Sequence, residues 1–286
     1  MSYCSPNIDI TDHYTCFEYD ELIHIAEAFN KYIKSKRCPR LQYSNKDIKC
    51  EMKEISFSKS KKKLWYSIYN RLKNICSYEY CWLDLDFINE IDDKNLREKI
   101  KYFTFKPKMT KTKRDWLNTQ DINNVLQQYQ ELFPTFKFIG ALPSDFYKVT
   151  TVDYNQVLKY DKIGLVFNLD EHNQPGSHWV AFLVDNKMGT LEYYDSVGKL
   201  PNKNIQTFIN EMSEYLKKNG YNYNKLYNTK KHQYENTECG VYSIYFLIQR
   251  LFGFDFEYVT KKVVKDKQMN RFRNVIFRPR RNKKKT

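Results

Sequence analysis

Apolar residues along this chain follow two rhythms. In the first, they return every third or fourth position, the spacing that gathers them on one face of a helix. Asp20 to Ile33 places Leu22, Ile25, Ala26, Phe29 and Ile33 on such a face, with Asp20 and Glu21 suiting its start. Leu64 to Ile75 does the same with Leu64, Ile68, Leu72 and Ile75, and Asp93 to Lys101 suggests a third helix. Thr119 to Phe133 predicts another, with Thr119 as N-cap and Pro134 as stop. Asn204 to Leu216 turns Ile205, Phe208, Ile209, Met212 and Leu216 inward, and Asn219-Gly220 ends it. Val241 to Leu251 is the most apolar of these stretches, and Gly253 marks its end.

The second rhythm is the short apolar run of a buried strand. Phe136–Ile139, Ile163–Leu169, Val180–Val184, Gly189–Tyr194 and Tyr223–Asn228 read this way. Asp185-Asn186 and Gly189 between two of them predict a hairpin. Ala141 to Phe146 reads as a turn or short helix, and Asp170 to Ser177, with Pro175-Gly176, as a mobile loop. The strands all lie in the second part of the chain. The expected fold is therefore α+β: a mixed, largely antiparallel central sheet flanked by helices, with an N-terminal mainly helical domain. The polar, basic connector from Lys106 to Lys113 sets the boundary. Residues 1–110 form the helical accessory domain, 111–277 a catalytic domain and 278–286 a basic tail. The accessory domain carries no catalytic constellation, so substrate presentation or scaffold docking is its expected role.

Chemistry enters at Cys239, in the first turn of the Val241–Leu251 helix. Free N–H groups and the positive end of the helix dipole favour a thiolate there. Alone, Cys239 reads as one more small core residue, since most buried cysteines are inert. Two further features change that. His178 opens the strand Val180–Val184, and Asp195 ends the next strand, Gly189–Tyr194. In an antiparallel hairpin the two share one sheet edge, so an imidazole base and an orienting carboxylate meet near a nucleophilic thiol. Gln233 lies just upstream of the cysteine, where its side-chain amide can donate to an oxyanion. Gly240 is expected to leave room for a substrate beside the sulfur. His172 and His232 are the rival bases. His172 lacks the strand that follows His178, His232 reads as a flanking residue, and both are expected to face solvent. His24, beside the apolar face of its helix, reads as a surface histidine.

Composition narrows the class. With 286 residues, 41% apolar and 16% aromatic, the chain is globular and holds one large or two modest cores. No apolar run reaches membrane-spanning length and no signal-peptide pattern opens the chain, so a cytosolic, nuclear or packaged protein is expected. Seven cysteines make an odd count, which argues for reduced thiols; none has the close spacing of a structural zinc site, and no metal is expected. The net charge of +14 draws on Lys59–Lys63, Lys106–Arg114 and the tail from Arg278. Such a tail binds nucleic acid or another polyanion, acts as an address, or only solvates the protein.

Gly176-Ser-His178-Trp179, then Tyr193-Tyr-Asp195-Ser196, then Gln233 followed by Cys239-Gly240, resembles the SUMO/ubiquitin-like-protein-specific cysteine proteases and their adenovirus-protease relatives. Asp115-Trp116-Leu-Asn-Thr119 is similar to the Trp-Leu-Asn entry motif of these enzymes, and the resemblance covers roughly residues 111 to 275. Upstream, Cys16-Phe17 with Glu21-Leu22 and Ile25-Ala26, and Glu79-x-Cys81-Trp82-Leu83, resemble the thiol proteases of large DNA viruses, of the African swine fever virus type. The resemblance implies a cysteine endopeptidase needing no metal or organic cofactor, acting on protein substrates. His178, Asp195, Cys239 and Gln233 are its expected catalytic residues. Trp116 and Trp179 are expected to roof a tunnel that admits Gly-Gly or Ala-Gly before the cut bond, although for Trp179 plain core packing competes. Processing of viral structural precursors in a virion or host cytoplasm is the implied task. Deconjugation of ubiquitin-like modifiers, or acetyl transfer on the same triad, is the alternative. A non-catalytic binding module is the third class, against which the complete set of four residues argues.

Overall fold

The computed structural model describes residues 3–8, 14–42, 50–110 and 115–278. The chain divides into two compact units, Met1–Lys106 and Pro107–Thr286, the break falling at the start of the basic connector.

In the first unit the predicted apolar faces become helices α1 (Tyr19–Lys34) and α2 (Lys61–Leu72), followed by the short α3 (Glu79–Trp82) and by α4 (Lys94–Phe103). Side chains start two of them: Ser60 accepts from the Lys63 N–H, and Asp93 from those of Asn95 and Leu96. Leu22, Ile25 and Phe29 of α1 and Leu64, Ile68 and Leu72 of α2 share a core with Trp82 and Phe87. The two N-terminal motifs meet here. Phe17 stacks on Trp82, and the half-buried Glu79 accepts from the Cys16 N–H, the Thr15 hydroxyl and the Trp65 indole. Burial pushes the Glu79 carboxyl up, against the pull of those donors.

The cysteines correct the expectation of reduced thiols. Disulfides join Cys4 to Cys16, Cys38 to Cys50 and Cys76 to Cys81, and Cys239 is the one free cysteine. The odd count reflects a single thiol kept apart from three pairs. Whether two cysteines pair depends on Cα separations, here 5.2, 5.8 and 5.8 Å, which the fold sets and spacing along the chain does not.

In the second unit the order is α5 (Thr119–Leu132), β1 (Phe136–Leu142), β2 (Lys162–Asn168), β3 (Trp179–Asp185), β4 (Thr190–Tyr194), α6 (Lys203–Lys218), β5 (Asn224–Tyr227), α7 (Cys239–Leu251), α8 (Phe256–Lys261) and α9 (Asp266–Ile276). The cap of α5 is Asn118, not Thr119: its side chain accepts from the Asp121 N–H. The sheet runs β1-β2-β3-β4-β5 and is mixed, with antiparallel β2–β3 and β3–β4 ladders in the middle and a parallel pair at each edge.

Strand β3 shows why its sequence reads as unbroken apolar. Trp179, Ala181 and Leu183 point into a core shared with α5 and α7, while Val180, Phe182 and Val184 point into a second core with Phe208 and Met212 of α6. Each face is covered by a helical layer, so Trp179 to Val184 are all apolar, and the one polar residue of β3, Asp185, closes the strand on a buried partner. The guanidinium of Arg250 on α7, itself buried, then locks helix to hairpin. It donates twice to Glu192 on β4 at 2.7 Å and once to Asp185 on β3 at 3.0 Å. That fixes the helix that starts with Cys239 against the two strands that carry His178 and Asp195.

Candidate active site

The β3–β4 register pairs Ala181 with Tyr194, so His178, just before β3, and Asp195, just after β4, arrive at the same edge of the sheet. Their side chains meet, with His178 Nε2 at 2.6 Å from Asp195 Oδ1. Asp195 is fully buried and held from several sides. Its carboxylate accepts the N–H groups of Val197 and Lys199, and its own N–H and C=O are paired with the Asn228 side chain. Gly198 makes that turn possible, since it sits at φ +74° and a Cβ there would lie 2.7 Å from the Thr229 carbonyl oxygen.

Cys239 is the first residue of α7, is buried, and lies near enough to the His178 imidazole to act on its charge. Nε2 is committed to Asp195, which leaves Nδ1 as the ring nitrogen available to the sulfur. Burial alone would lower the His178 pKa; hydrogen bonds and charge from Asp195 and Cys239 outweigh it and raise the value to about 9. The group is thus built to hold a proton, as an imidazolium beside an anion. Gly240 has a different task from the one expected. The place of its missing Cβ lies 3.1 Å from Leu117 Cβ and 3.3 Å from Trp179 Cδ1, so the glycine lets these side chains, not a substrate, press against the helix start.

Gln233 is buried, and Ser196, next to Asp195, orients it by donating from Oγ to Oε1 at 2.6 Å. The donor end of the amide is thereby fixed; Glu235 C=O takes one Nε2 hydrogen, and the amide has two. The loop from Gln233 to Cys239 is latched by α9, a helix the sequence reading missed. Asp266 accepts the N–H groups of Tyr234 and Glu235. Arg273, buried, donates to the Thr237 carbonyl at 2.7 Å and to the carboxylate of Glu238 at 2.8 Å, one residue before the thiol. The signal for α9 was present but weak. Met269, Phe272, Arg273 and Ile276 have helical spacing, yet one of those inward positions is an arginine and the segment is otherwise rich in Lys and Arg.

Trp116 and Trp179 line one cleft of about 360 Å³ together with Asn118 and Pro143. Trp116 is 39% exposed; Trp179 is buried and donates from Nε1 to the Leu117 carbonyl at 2.8 Å, so it serves core and cleft at once. The expected mobile loop before His178 is braced. Asn168 Oδ1 accepts the N–H groups of Asp170 and Ser177, and the Asp170 carbonyl accepts from Ser144. Of the rival histidines, His172 is exposed, as expected, and His232 is not. His232 is buried, accepting from Tyr194 and donating to the Thr260 carbonyl, and burial pushes its pKa down. His172 lines the cleft with Nδ1 on Asp145. His24 lies on the surface beside Glu27. The basic tail beyond Arg278 lies outside the described residues.

A thiol at a helix start, an imidazole beside it and a buried carboxylate behind the imidazole, on a mixed sheet between helical layers, make the working group of a cysteine peptidase. The chain belongs to the Ulp1 protease family, whose C-terminal catalytic domain matches residues 93–282. It is 35% identical over 290 residues to the "putative thiol protease" of Acanthamoeba polyphaga mimivirus, spanning 97% of this chain and 94% of that protein. A cysteine protease of African swine fever virus is 27% identical over 184 residues, 57% of this chain and 67% of its own. The crystal structure of the African swine fever virus protease shares the fold, with a TM-score of 0.66 at 19% identity over 98% of this chain and 96% of that one. The protein is a cysteine peptidase of the SUMO-protease-like, viral type.

Proposed function

We propose that this peptidase processes viral structural precursor proteins during particle assembly, in virion or host cytoplasm, cutting after Gly-Gly or Ala-Gly. The supporting observation is that Trp116 and Trp179 wall one cleft and that Trp179, in that wall, also packs against Gly240, the residue after Cys239. An extended peptide between two indoles has width for a glycine and little else. In the proposed reaction the Cys239 thiolate attacks the scissile carbonyl, and the oxygen becomes an oxyanion. The Gln233 amide and the Cys239 N–H stabilise it, each such donor contributing roughly 3 kcal/mol in comparable sites. His178 passes its proton to the leaving amine, Asp195 stabilises the imidazolium, and water, deprotonated by His178, hydrolyses the thioester.

The whole chain would be incubated with candidate viral precursors and with SUMO fusions, and every new terminus mapped by mass. Cuts in precursors after a small pair are expected. Cleavage confined to SUMO fusions would assign deconjugation instead, and cuts after Leu, Phe or Lys would show that the narrow cleft does not select. Binding of nucleic acid by the tail from Arg278 is proposed from charge alone. Truncation after Phe277 should weaken DNA binding and flatten its salt dependence while peptide cleavage survives; unchanged affinity would reject it.

A further inference from the structure

His172 stands in the cleft that holds both tryptophans, and its placement is over-determined for a loop histidine. Asp145, fully buried, grips it twice, with Oδ1 accepting the His172 backbone N–H at 2.8 Å and Oδ2 facing the ring Nδ1 at 2.7 Å. Burying a carboxylate is costly unless its partners are good, and here the partners are His172 and Lys148. Burial would raise the Asp145 pKa; the donors from His172 and Lys148 outweigh it and hold the value at about 2. An ionised carboxylate only accepts, so the ring proton sits on Nδ1. The side chain is 40% exposed, and with Nδ1 on Asp145 the other ring nitrogen, Nε2, has no hydrogen-bond partner among the described residues. In the neutral ring that atom is an acceptor and nothing else.

The surroundings point the same way. The cleft is lined by Asp170 and Glu171 and, among the described residues, by no lysine or arginine; Lys148, outside the lining, pairs with Glu171 at 3.3 Å, so among those residues Asp170 is the lining carboxylate without a cation beside it. We propose that His172, oriented by Asp145, is a specificity-determining residue of the substrate cleft. Its Nε2 accepts a hydrogen bond from a donor-bearing side chain, foremost lysine or arginine, in the substrate upstream of the small pair. This rests on the reading of the cleft as the path of the substrate toward Cys239. The small pair carries almost no side-chain information, so discrimination among substrates has to come from contacts of this kind further along the peptide.

The test is cleavage of a proteome-derived peptide library by the full chain, with termini identified by mass. The two residues before each cut report on the small-pair reading, and the residues further upstream report independently on His172. One upstream position should favour Lys, Arg and Gln over the similarly shaped Met by about 5-fold in kcat/KM, the worth of one hydrogen bond. His172→Ala should flatten that preference by raising KM for the donor-bearing peptides, His172→Gln, which keeps an acceptor, should retain part of it, and Asp145→Asn should act in the same direction as the alanine. His172 is on the surface, so loss of folding does not confuse the result, and thermal melting of the Asp145 variant checks the buried change. A preference for Asp or Glu at that position, no upstream preference, or one that survives His172→Ala would overturn the proposal.

Discussion

Two histidine–aspartate pairs stand close together in the sequence of the second unit, and they make different devices from the same parts. His178 and Asp195 meet at 2.6 Å, His172 and Asp145 at 2.7 Å, and both carboxylates are fully buried. The difference is in the free edge of each ring. His178 is half-buried near a thiol, with the side chain 17% exposed, whereas the His172 side chain lines a cleft and is 40% exposed. The ring nitrogen used also differs, Nε2 in the first and Nδ1 in the second. An Asp–His dyad is therefore only an orienting device, and what it does is decided by the atom presented to the outer nitrogen.

Removing each carboxylate is the strongest way to separate the two. Asp195→Ala should cost roughly 10³-fold in kcat, since the imidazole loses both its tautomer and the partner of its charge. Asp145→Ala should cost less than about 10-fold and act on KM; steady-state kinetics on one peptide substrate reads both, and equal losses in kcat would erase the distinction. The His178–Asp195 pair also has neighbours that the His172–Asp145 pair lacks. Gln233→Ala should lower kcat about 100-fold with KM nearly unchanged, and Ser196→Ala should move kcat in the same direction by less, because Ser196 only orients the amide. A change confined to KM would remove Gln233 from the oxyanion site.

Arg273 tests whether the thiol's loop is as firmly held as its histidine. Arg273→Met leaves the buried Glu238 carboxylate without its partner next to Cys239, which should cost about 3–5 kcal/mol in denaturant unfolding. The double variant Glu238→Gln/Arg273→Met should recover most of that loss. If it does not, the arginine acts through packing and its bond to Thr237, and not through charge.

The smallest effects distinguish the pairs by pH. The His178 pKa is raised from 6.5 to about 9, so its contribution to stability is complete below about pH 6.5 and is lost as pH rises through about 9. Asp145 is lowered from 3.8 to about 2, so its contribution is complete above about pH 3.8 and is lost as pH falls toward 2. Imidazole NMR should show His178 titrating near 9 in the intact protein and lower in Cys239→Ala, where Asp195 alone supports the charge. An unmoved titration would mean that thiol and imidazole are not coupled.

Much of the molecule is legible in its residues before any coordinates. The helical faces of α1, α2, α6 and α7, the strands β2, β3 and β4, and the candidates His178, Asp195, Gln233 and Cys239 all follow from apolar spacing and from residue types with few other reasons to recur in that order. These are local properties: a strand buried on both faces is apolar except where a buried partner such as Arg250 meets a carboxylate, and a thiol at the start of a buried helix precedes an apolar run. The positions that were misread depend on partners far away in the chain. The cysteine pairs, the task of Gly240, the burial of His232 and the grip of Asp145 on His172 each depend on an approach that spacing does not encode. Helix α9 was hidden because its inward face carries Arg273, a residue that composition assigns to solvent and that only the buried Glu238 draws inside. Which groups the chain contains, and in what order, was set by sequence. Which nitrogen meets sulfur, which carboxylate meets which imidazole and which thiol stays free were decided by tertiary structure, because hydrogen bonds and disulfides form over a few ångströms and so answer to distance in space.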